Sequence, residues 1–161
     1  SVLMCVAISS YFVEKIKNVK ILAPHFHLSL QSGSNSVLRR MKRRYNSEMA
    51  MSVINNIREK IPGATFTTDL MVGFPGETEE EFLETVAFAE KAEFLDAHIF
   101  AYSRRAGTPA AEYENQVPEE VKKERSARLI KVKNSVRDKV LDRITRDALP
   151  LSVIAETLSA D

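Results

Sequence analysis

The chain is short of the residues that most directly indicate chemistry. Its 161 residues include one cysteine, Cys5, no tryptophan and only five glycines. A single cysteine excludes an intrachain disulfide framework, and it excludes a metal site built only from cysteines of this chain. Because disulfides persist in oxidising compartments, we expect a cytoplasmic protein. We interpret Cys5 as a small buried apolar residue rather than a catalytic one.

An excess of charge of one sign and long apolar runs are also missing. Lysine and arginine total 23 against 22 aspartate and glutamate, a net charge of +1. Bulk charge therefore does not indicate a nucleic-acid-binding protein, and any such role must come from a local patch. The apolar run at residues 2–8 is too short to span a membrane, and no basic flank precedes it as in a signal peptide.

The apolar residues that are present predict strands alternating with helices. Strands are expected at residues 2–8, 25–30, 65–72, 96–102 and 151–157. Helices are expected at residues 10–18, 37–42, 47–60, 79–92 and from Pro118 onward. This alternation is typical of an α/β fold with parallel strands and flanking helices. In such folds ligands bind at the carboxyl ends of the strands.

Two of these helices carry cap signals, and the last is long and charged. Ser47 is the expected cap of the helix at 47–60. Thr78, followed three positions later by Glu81, matches a capping box. Pro118 opens the long helix, where two glutamates suit the positive end of the helix.

Polar or glycine-rich segments follow three strands, at residues 31–34, 73–76 and 102–105. The first can bind a polar ligand through Gln31, although its serines also suit a helix cap. Asp69 lies in an apolar strand, so its carboxylate needs a partner, either a loop backbone or a ligand hydroxyl or amine. Gly73 and Gly76 allow positive φ or a close backbone approach. The segment is not a P-loop, because the glycine-lysine-serine/threonine ending of that motif is missing.

Residues 39–44 place five cations in six positions. They are interpreted as a solvated helix face, as phosphate contacts, or as an arginine turned inward to bind a carboxylate. Helical spacing cannot direct all five the same way.

His25 and His27 share one strand face, and with His98 they suggest a metal, but no carboxylate or cysteine completes a standard set nearby. We favour core or rim histidines.

The order of five segments resembles a known family. HFHLSLQSGS, VLRRMKRRY, TTDLMVGFPGETEEEF, HIFAYSRRAGTPA and QVPEEVKKERSARL follow one another as in the second half of radical S-adenosylmethionine methylthiotransferases. The resemblance covers roughly residues 25 to 129. It is greatest to the branch that modifies threonylcarbamoyladenosine beside the tRNA anticodon, at C2 of the base called t6A37. The isopentenyladenosine and ribosomal-protein enzymes share much of the pattern.

The resemblance implies a fold and a domain organisation. The family's catalytic domain is an open (β/α)6 barrel, and this chain would hold its carboxyl-terminal half, with a long C-terminal helix. Residues 1–147 would form this partial barrel, and residues 148–161 would begin a truncated TRAM-like RNA-binding barrel. Half a barrel leaves an open strand edge, so self-association is expected.

The resemblance also implies a transferase, its cofactors and its partner. Members cleave S-adenosylmethionine with a [4Fe-4S] cluster held by three cysteines, and a second cluster supplies sulfur. The implied partner is the anticodon region of tRNA, and no membrane is involved. The three-cysteine loop is absent from this chain, so we expect neither a cluster nor activity from the chain alone. The alternative is a non-catalytic α/β binding or scaffold domain derived from the barrel.

Positions in the matching segments assign candidate contacts to S-adenosylmethionine. Gln31 would contact its methionine or ribose, Arg43 would pair with its carboxylate, and Asp69 would lie near its ribose. The residues implied beside the adenine are Met71, Val72, Gly73, Tyr102 and Ser103. The cations left for RNA or solvent are Arg39, Arg40 and Arg44.

Overall fold

The computed structural model of the chain describes residues 2–3, 10–19 and 22–147. The strands are β1 (Val2–Leu3), β2 (His25–Gln31), β3 (Thr65–Val72) and β4 (Asp96–Ala101). The α-helices are α1 (Ser10–Ile16), α2 (Asn35–Arg40), α3 (Ser47–Lys60), α4 (Glu79–Ala92) and α5 (Glu119–Arg146). A short 3-10 helix, Pro109–Glu112, lies between β4 and α5. The strands pair in parallel in the order β1-β2-β3-β4.

The predicted alternation of parallel strands and helices is confirmed. α3 and β3 have the predicted bounds, β2 runs one residue further, to Gln31, and β4 ends at Ala101. Of the strand predicted at 2–8, only β1 is described, and the one predicted at 151–157 lies outside the described residues, as does the proposed second domain at 148–161.

The prediction that Ser47 caps α3 is wrong by one residue. Asn46 has extended backbone angles, and its side-chain oxygen accepts a hydrogen bond from the Met49 amide at 2.8 Å. Ser47 is already helical, and its amide donates to Asn35 Oδ1 at 2.8 Å. The capping box at α4 is confirmed, because Thr78 Oγ1 accepts from the Glu81 amide and Glu81 accepts from the Thr78 amide.

Helices cover one face of the sheet. In β3 the even-numbered residues from Phe66 to Val72 are buried, and the odd-numbered ones are half-exposed. Phe26, Leu28 and Phe66 pack in one core cluster with α3, and Leu70 packs in another with Phe82 and Leu129 of α4 and α5. The sheet is therefore a single layer with helices on one side, as half of a barrel wall would be.

We call the opposite side the open face. Residues that pair across β2, β3 and β4 have their side chains on the same face of the sheet, so the open-face side chains of the three strands are neighbours. Its polar residues are His25, His27 and Ser29 of β2, Thr65, Thr67 and Asp69 of β3, and Asp96 and His98 of β4; Met71 and Phe100 complete it.

Gly33, just after β2, lets α4 pack against the carboxyl end of that strand. A Cβ added there would overlap the Phe88 side chain and would lie 2.9 Å from the Thr85 Cα. The Gly33 amide donates to Thr85 Oγ1 at 3.1 Å, and the Ser32 hydroxyl lies 3.0 Å from the same oxygen. The small polar residues after β2 therefore fix a helix in place.

We expect Gly33→Ala to destabilise the chain by about 1–3 kcal/mol, because the extra methyl group would overpack this contact. The measurement is the midpoint of urea unfolding. Ser52→Ala, on the exposed side of α3, is the control and should stay within about 0.5 kcal/mol. Equal stability of the two variants would contradict the packing described for Gly33.

Candidate functional site

The carboxyl ends of β2, β3 and β4 lie at one rim of the sheet, because all three strands run in parallel. The three loops that the sequence places at strand ends therefore meet there, as predicted. Tyr102 extends the pairing beyond β4 through its amide, which donates to the Val72 carbonyl at 2.9 Å.

A buried ion pair holds the loop that follows β3. Glu77 Oε2 accepts from the Gly73 amide at 2.7 Å and from Arg125 Nη1 at 2.8 Å. Arg125 Nη1 also donates to the Glu77 carbonyl at 3.0 Å. The two side chains are only 1% and 6% exposed. Burial raises the pKa of the Glu77 carboxyl, although Arg125 and the Gly73 amide act in the opposite direction.

Gly73 also lets α5 approach this loop. Its φ is +71°, and an added Cβ would overlap the side chain of Lys122. Lys122 is buried, its ammonium pairs with Glu119 at 2.7 Å, and it lies 5.5 Å from the centre of the Tyr102 ring. The glycine predicted beside a ligand therefore has a packing role as well.

Arg40 pairs with the amino end of α4. Its guanidinium donates to Glu81 Oε1 at 2.9 Å, to Glu81 Oε2 at 2.5 Å and to the Gly76 carbonyl at 3.2 Å. The Ser36 hydroxyl donates to the same carboxylate at 2.6 Å. Arg40, more than any other group, lowers the pKa of Glu81 to about 2. The RNA contact predicted for Arg40 stays a prediction, and it would compete with this ion pair.

Asp69 lies on the open face with its side chain 25% exposed. The expectation of a buried carboxylate is therefore wrong, because β3 has helices on one side only. Its Oδ2 accepts from Ser29 Oγ at 2.9 Å and lies 3.1 Å from His27 Nε2. Its partners are thus side chains of β2, rather than the loop backbone considered from the sequence.

The predicted ligand contacts divide between two clefts. Met71, Tyr102 and Ser103 line one of about 400 Å³ at the ends of β3 and β4. Arg43 lies with Arg39 and Arg44 in another of about 380 Å³, between the end of α2 and the start of α3. Arg43 is half-buried, whereas Arg39 and Arg44 are exposed. Val72 is fully buried in the core.

Gln31 has an unusual backbone at the rim. Its φ is +73°, a left-handed conformation that is costly for a residue with a side chain and that clusters at functional sites. The pairing of β2 with β3 shifts between Leu28 and Gln31, so that Gln31 rather than Leu30 lies beside Leu70. This β-bulge inserts one extra residue into β2 just before the rim.

Sequence reasoning missed the residues of α5 that hold the rim. Lys122, Arg125 and Arg128 recur every three residues, which places them on neighbouring positions of one helix side. The available signal was this spacing of cations, together with Glu77 in the loop after β3 and Glu79 at the start of α4, which Arg125 and Arg128 contact. It became informative only once the two segments were known to meet.

The described residues fit S-adenosylmethionine better than a metal cluster. Among them, no group of three or more histidine, cysteine, aspartate or glutamate side chains could hold a metal ion. The single cysteine of the sequence cannot supply three thiolates. Asp69 has a partly exposed carboxylate on the open face, and Arg43 has a guanidinium beside a cleft, groups that suit ribose hydroxyls and a carboxylate.

Within the part of the chain that the structure describes, no helix is long and apolar enough to cross a membrane.

Residues 4–89, just over half of the chain, match the family model described as the Radical SAM superfamily. The chain belongs to the radical SAM superfamily. Two solved structures share this fold. Coproporphyrinogen III oxidase (HemN) from Escherichia coli superposes with a TM-score of 0.61 at 16% identity, covering 90% of this chain and 31% of that one. SuiB from Streptococcus suis, bound to precursor peptide SuiA, superposes with a TM-score of 0.51 at 14% identity, covering 93% of this chain and 30% of that one.

Curated relatives carry two related names. The tRNA-2-methylthio-N(6)-dimethylallyladenosine synthase of Corynebacterium glutamicum (strain ATCC 13032) is 44% identical over 91% of this chain and 28% of its own length. The Symbiobacterium thermophilum protein of that name is 51% identical over 77% of this chain and 26% of its own length. Threonylcarbamoyladenosine tRNA methylthiotransferase MtaB of Bacillus subtilis is 40% identical over 89% of this chain and 32% of its own length. The recognition of methylthiotransferase relatives from the sequence is confirmed, and this radical SAM chain spans about a third or less of their length.

We expect Arg125→Ala to destabilise this radical SAM chain by about 3–5 kcal/mol, because it leaves Glu77 buried without its partner. Arg128→Ala is the control, since that side chain is 40% exposed in its pairs with Glu79 and Glu124. It should cost at most about 1 kcal/mol. Urea unfolding measures both values.

The stability that Arg125→Ala removes should also depend on pH. A carboxyl whose pKa is raised on folding stabilises the fold most at low pH, and this contribution is lost as the pH rises through the raised pKa. Without Arg125 the pKa of Glu77 rises further, so the deficit should be smaller at about pH 5 than at about pH 8. A deficit that is the same at both pH values would contradict a buried Glu77 charge.

Proposed function

We propose that this chain is part of a tRNA methylthiotransferase that acts on a modified adenosine next to the anticodon. The proposal rests on the match to relatives with such names, at 40% to 51% identity. The observation that carries it to a site is the rim, where the carboxyl ends of three parallel strands lie together, with Asp69 on the open face of the middle strand. On this proposal the protein is cytoplasmic and contacts the anticodon region of tRNA.

The proposed cofactor is S-adenosylmethionine, held along the rim. Asp69 Oδ1 would accept from the ribose hydroxyls, the Gln31 amide would contact the methionine or ribose, and Arg43 would pair with the carboxylate. The adenine would lie among Met71, Gly73, Tyr102 and Ser103, whereas the buried side chain of Val72 could only support this site from the core. When bound beside a reduced [4Fe-4S] cluster, S-adenosylmethionine supplies the family's radical chemistry. Cysteines outside this chain would hold that cluster, so the chain alone would be inactive.

Two substrates are consistent with the relatives' names. Threonylcarbamoyladenosine, modified at C2 in position 37, is favoured by the polar open face, where the exposed imidazole of His98 suits a substituent with carboxylate and hydroxyl groups. Dimethylallyladenosine is the second candidate, because the relatives at 44% and 51% identity carry that name.

The deciding experiment uses the complete protein that contains this chain, with its clusters reconstituted anaerobically. Transfer RNAs carrying either nucleoside are supplied with S-adenosylmethionine, and the digested nucleosides are measured by mass spectrometry. A methylthio product from the threonylcarbamoyl tRNA is the expected result, and a product from only the dimethylallyl tRNA would move the assignment to the second candidate. No product from either, with clusters intact, would favour a non-catalytic scaffold domain.

A pair of arginine variants tests the division of the basic segment. In the complete protein, Arg43→Ala should weaken S-adenosylmethionine binding about tenfold or more, because one charge-assisted pair is worth about 1.5–3 kcal/mol. Its affinity for tRNA should change little. Arg44→Ala, one residue away and exposed, should instead weaken tRNA binding and lower its salt dependence by about one counterion.

Calorimetry for S-adenosylmethionine and filter binding for tRNA give these two affinities. If Arg43→Ala weakened tRNA binding more than S-adenosylmethionine binding, Arg43 would be assigned to the RNA contact instead. Arg39, which lines the same cleft, would be the next phosphate contact to test. Self-association of the isolated chain through its strand edges is a further proposal, which sedimentation equilibrium would check.

A further inference from the structure

We propose that His27 and Ser29 are positioning residues that orient the Asp69 carboxylate toward a ribose hydroxyl of S-adenosylmethionine. This inference rests on the proposed function, because it deepens the role given there to Asp69.

The two donors converge on a single oxygen of the carboxylate. Ser29 Oγ donates to Asp69 Oδ2 at 2.9 Å, and His27 Nε2 lies 3.1 Å from the same atom. Among the described residues, neither donor contacts Oδ1. Two hydrogen bonds to one oxygen fix the plane of the carboxylate and leave the other oxygen available as an acceptor.

The Asp69 carboxylate selects the tautomer of His27, because an ionised carboxylate only accepts and Nε2 must therefore carry a proton. Its Nδ1 lies 3.0 Å from Thr67 Oγ1. When Nε2 carries the proton that is donated to Asp69, Nδ1 is an acceptor and the Thr67 hydroxyl donates to it. Thr67, His27 and Asp69 therefore form a directional chain of hydrogen bonds along the open face, and Asp69 lies at its accepting end.

Ser29, which also donates to Asp69, lies at an irregularity of the β2 backbone. The register of β2 against β3 is regular up to Leu28 and shifts before Gln31, so Ser29 lies in the bulged segment. The bulge is itself supported, because the Tyr45 hydroxyl lies 2.7 Å from the Leu30 carbonyl and 3.1 Å from the Ser29 carbonyl. Bulges commonly re-aim a side chain next to a functional site.

Stability alone does not account for this arrangement. The Asp69 side chain is 25% exposed on a face that no helix of the described structure covers. Water could solvate such a carboxylate, and a half-exposed pair with histidine contributes little to folding. Holding it at one orientation is instead what a preformed binding group requires, since an oriented acceptor loses less freedom when the ligand binds.

The test exploits the different reach of asparagine and glutamine. In the complete protein, with clusters reconstituted, His27→Gln places an amide nitrogen near the position of Nε2 and can still donate to Asp69. His27→Asn places its amide near Nδ1 and cannot. We expect His27→Asn and Ser29→Ala each to weaken S-adenosylmethionine binding about two- to tenfold. His27→Gln and Ser29→Thr should retain most of the affinity.

Calorimetry with S-adenosylmethionine gives this readout without relying on turnover, and tRNA affinity and the unfolding midpoint are measured in parallel. A structural role would weaken all three quantities together and would not separate His27→Gln from His27→Asn. Equal affinity for those two variants would overturn the positioning role.

Asp69→Asn separates this inference from the proposed function. If it weakens S-adenosylmethionine binding while His27→Asn and Ser29→Ala do not, the positioning role fails and the cofactor site stands. If Asp69→Asn also leaves binding unchanged, the placement of the ribose at Asp69 fails, and the inference fails with it.

Discussion

The contact between Glu77 and Arg125 is the constraint on which the rim depends. It joins the loop after β3 to the first turns of α5, two segments that lie 48 residues apart in sequence. A carboxylate and a guanidinium removed from water must be paired with good geometry, so neither side chain can move without the other. The same Glu77 carboxylate accepts from the Gly73 amide, and Lys122, one turn before Arg125 on α5, packs against Gly73.

Similar contacts link the other matched segments. Arg40 and Ser36, after β2, bind Glu81 at the start of α4, and Gly33 packs against the same helix. The segments at residues 31–40, 73–88 and 118–128, far apart in sequence, are therefore held together by side-chain contacts around the rim.

Local patterns predict local structure well in this chain, and they predict partners poorly. The periodic helix α3, the strand β3 and the capping box at Thr78 follow from neighbouring residues, so their bounds could be read from the sequence. The choice of Asn46 over Ser47 as a cap depends on backbone angles that both residue types allow. The exposure of Asp69 and the pairing of Glu77 depend on which elements cover a face, and no local pattern reports that.

The β-bulge at Ser29 and Leu30 also sets the parity of β2. Side chains of a strand alternate between faces with a period of two, so one extra residue exchanges the faces for everything that follows it. Gln31 therefore lies beside Leu70, although the odd-numbered residues up to His27 share the open face, and deletion of one residue would remove the bulge while leaving Gln31 at the level of Leu70. The extra residue therefore adds a side chain to the segment before the rim without changing which residue of β3 lies beside Gln31.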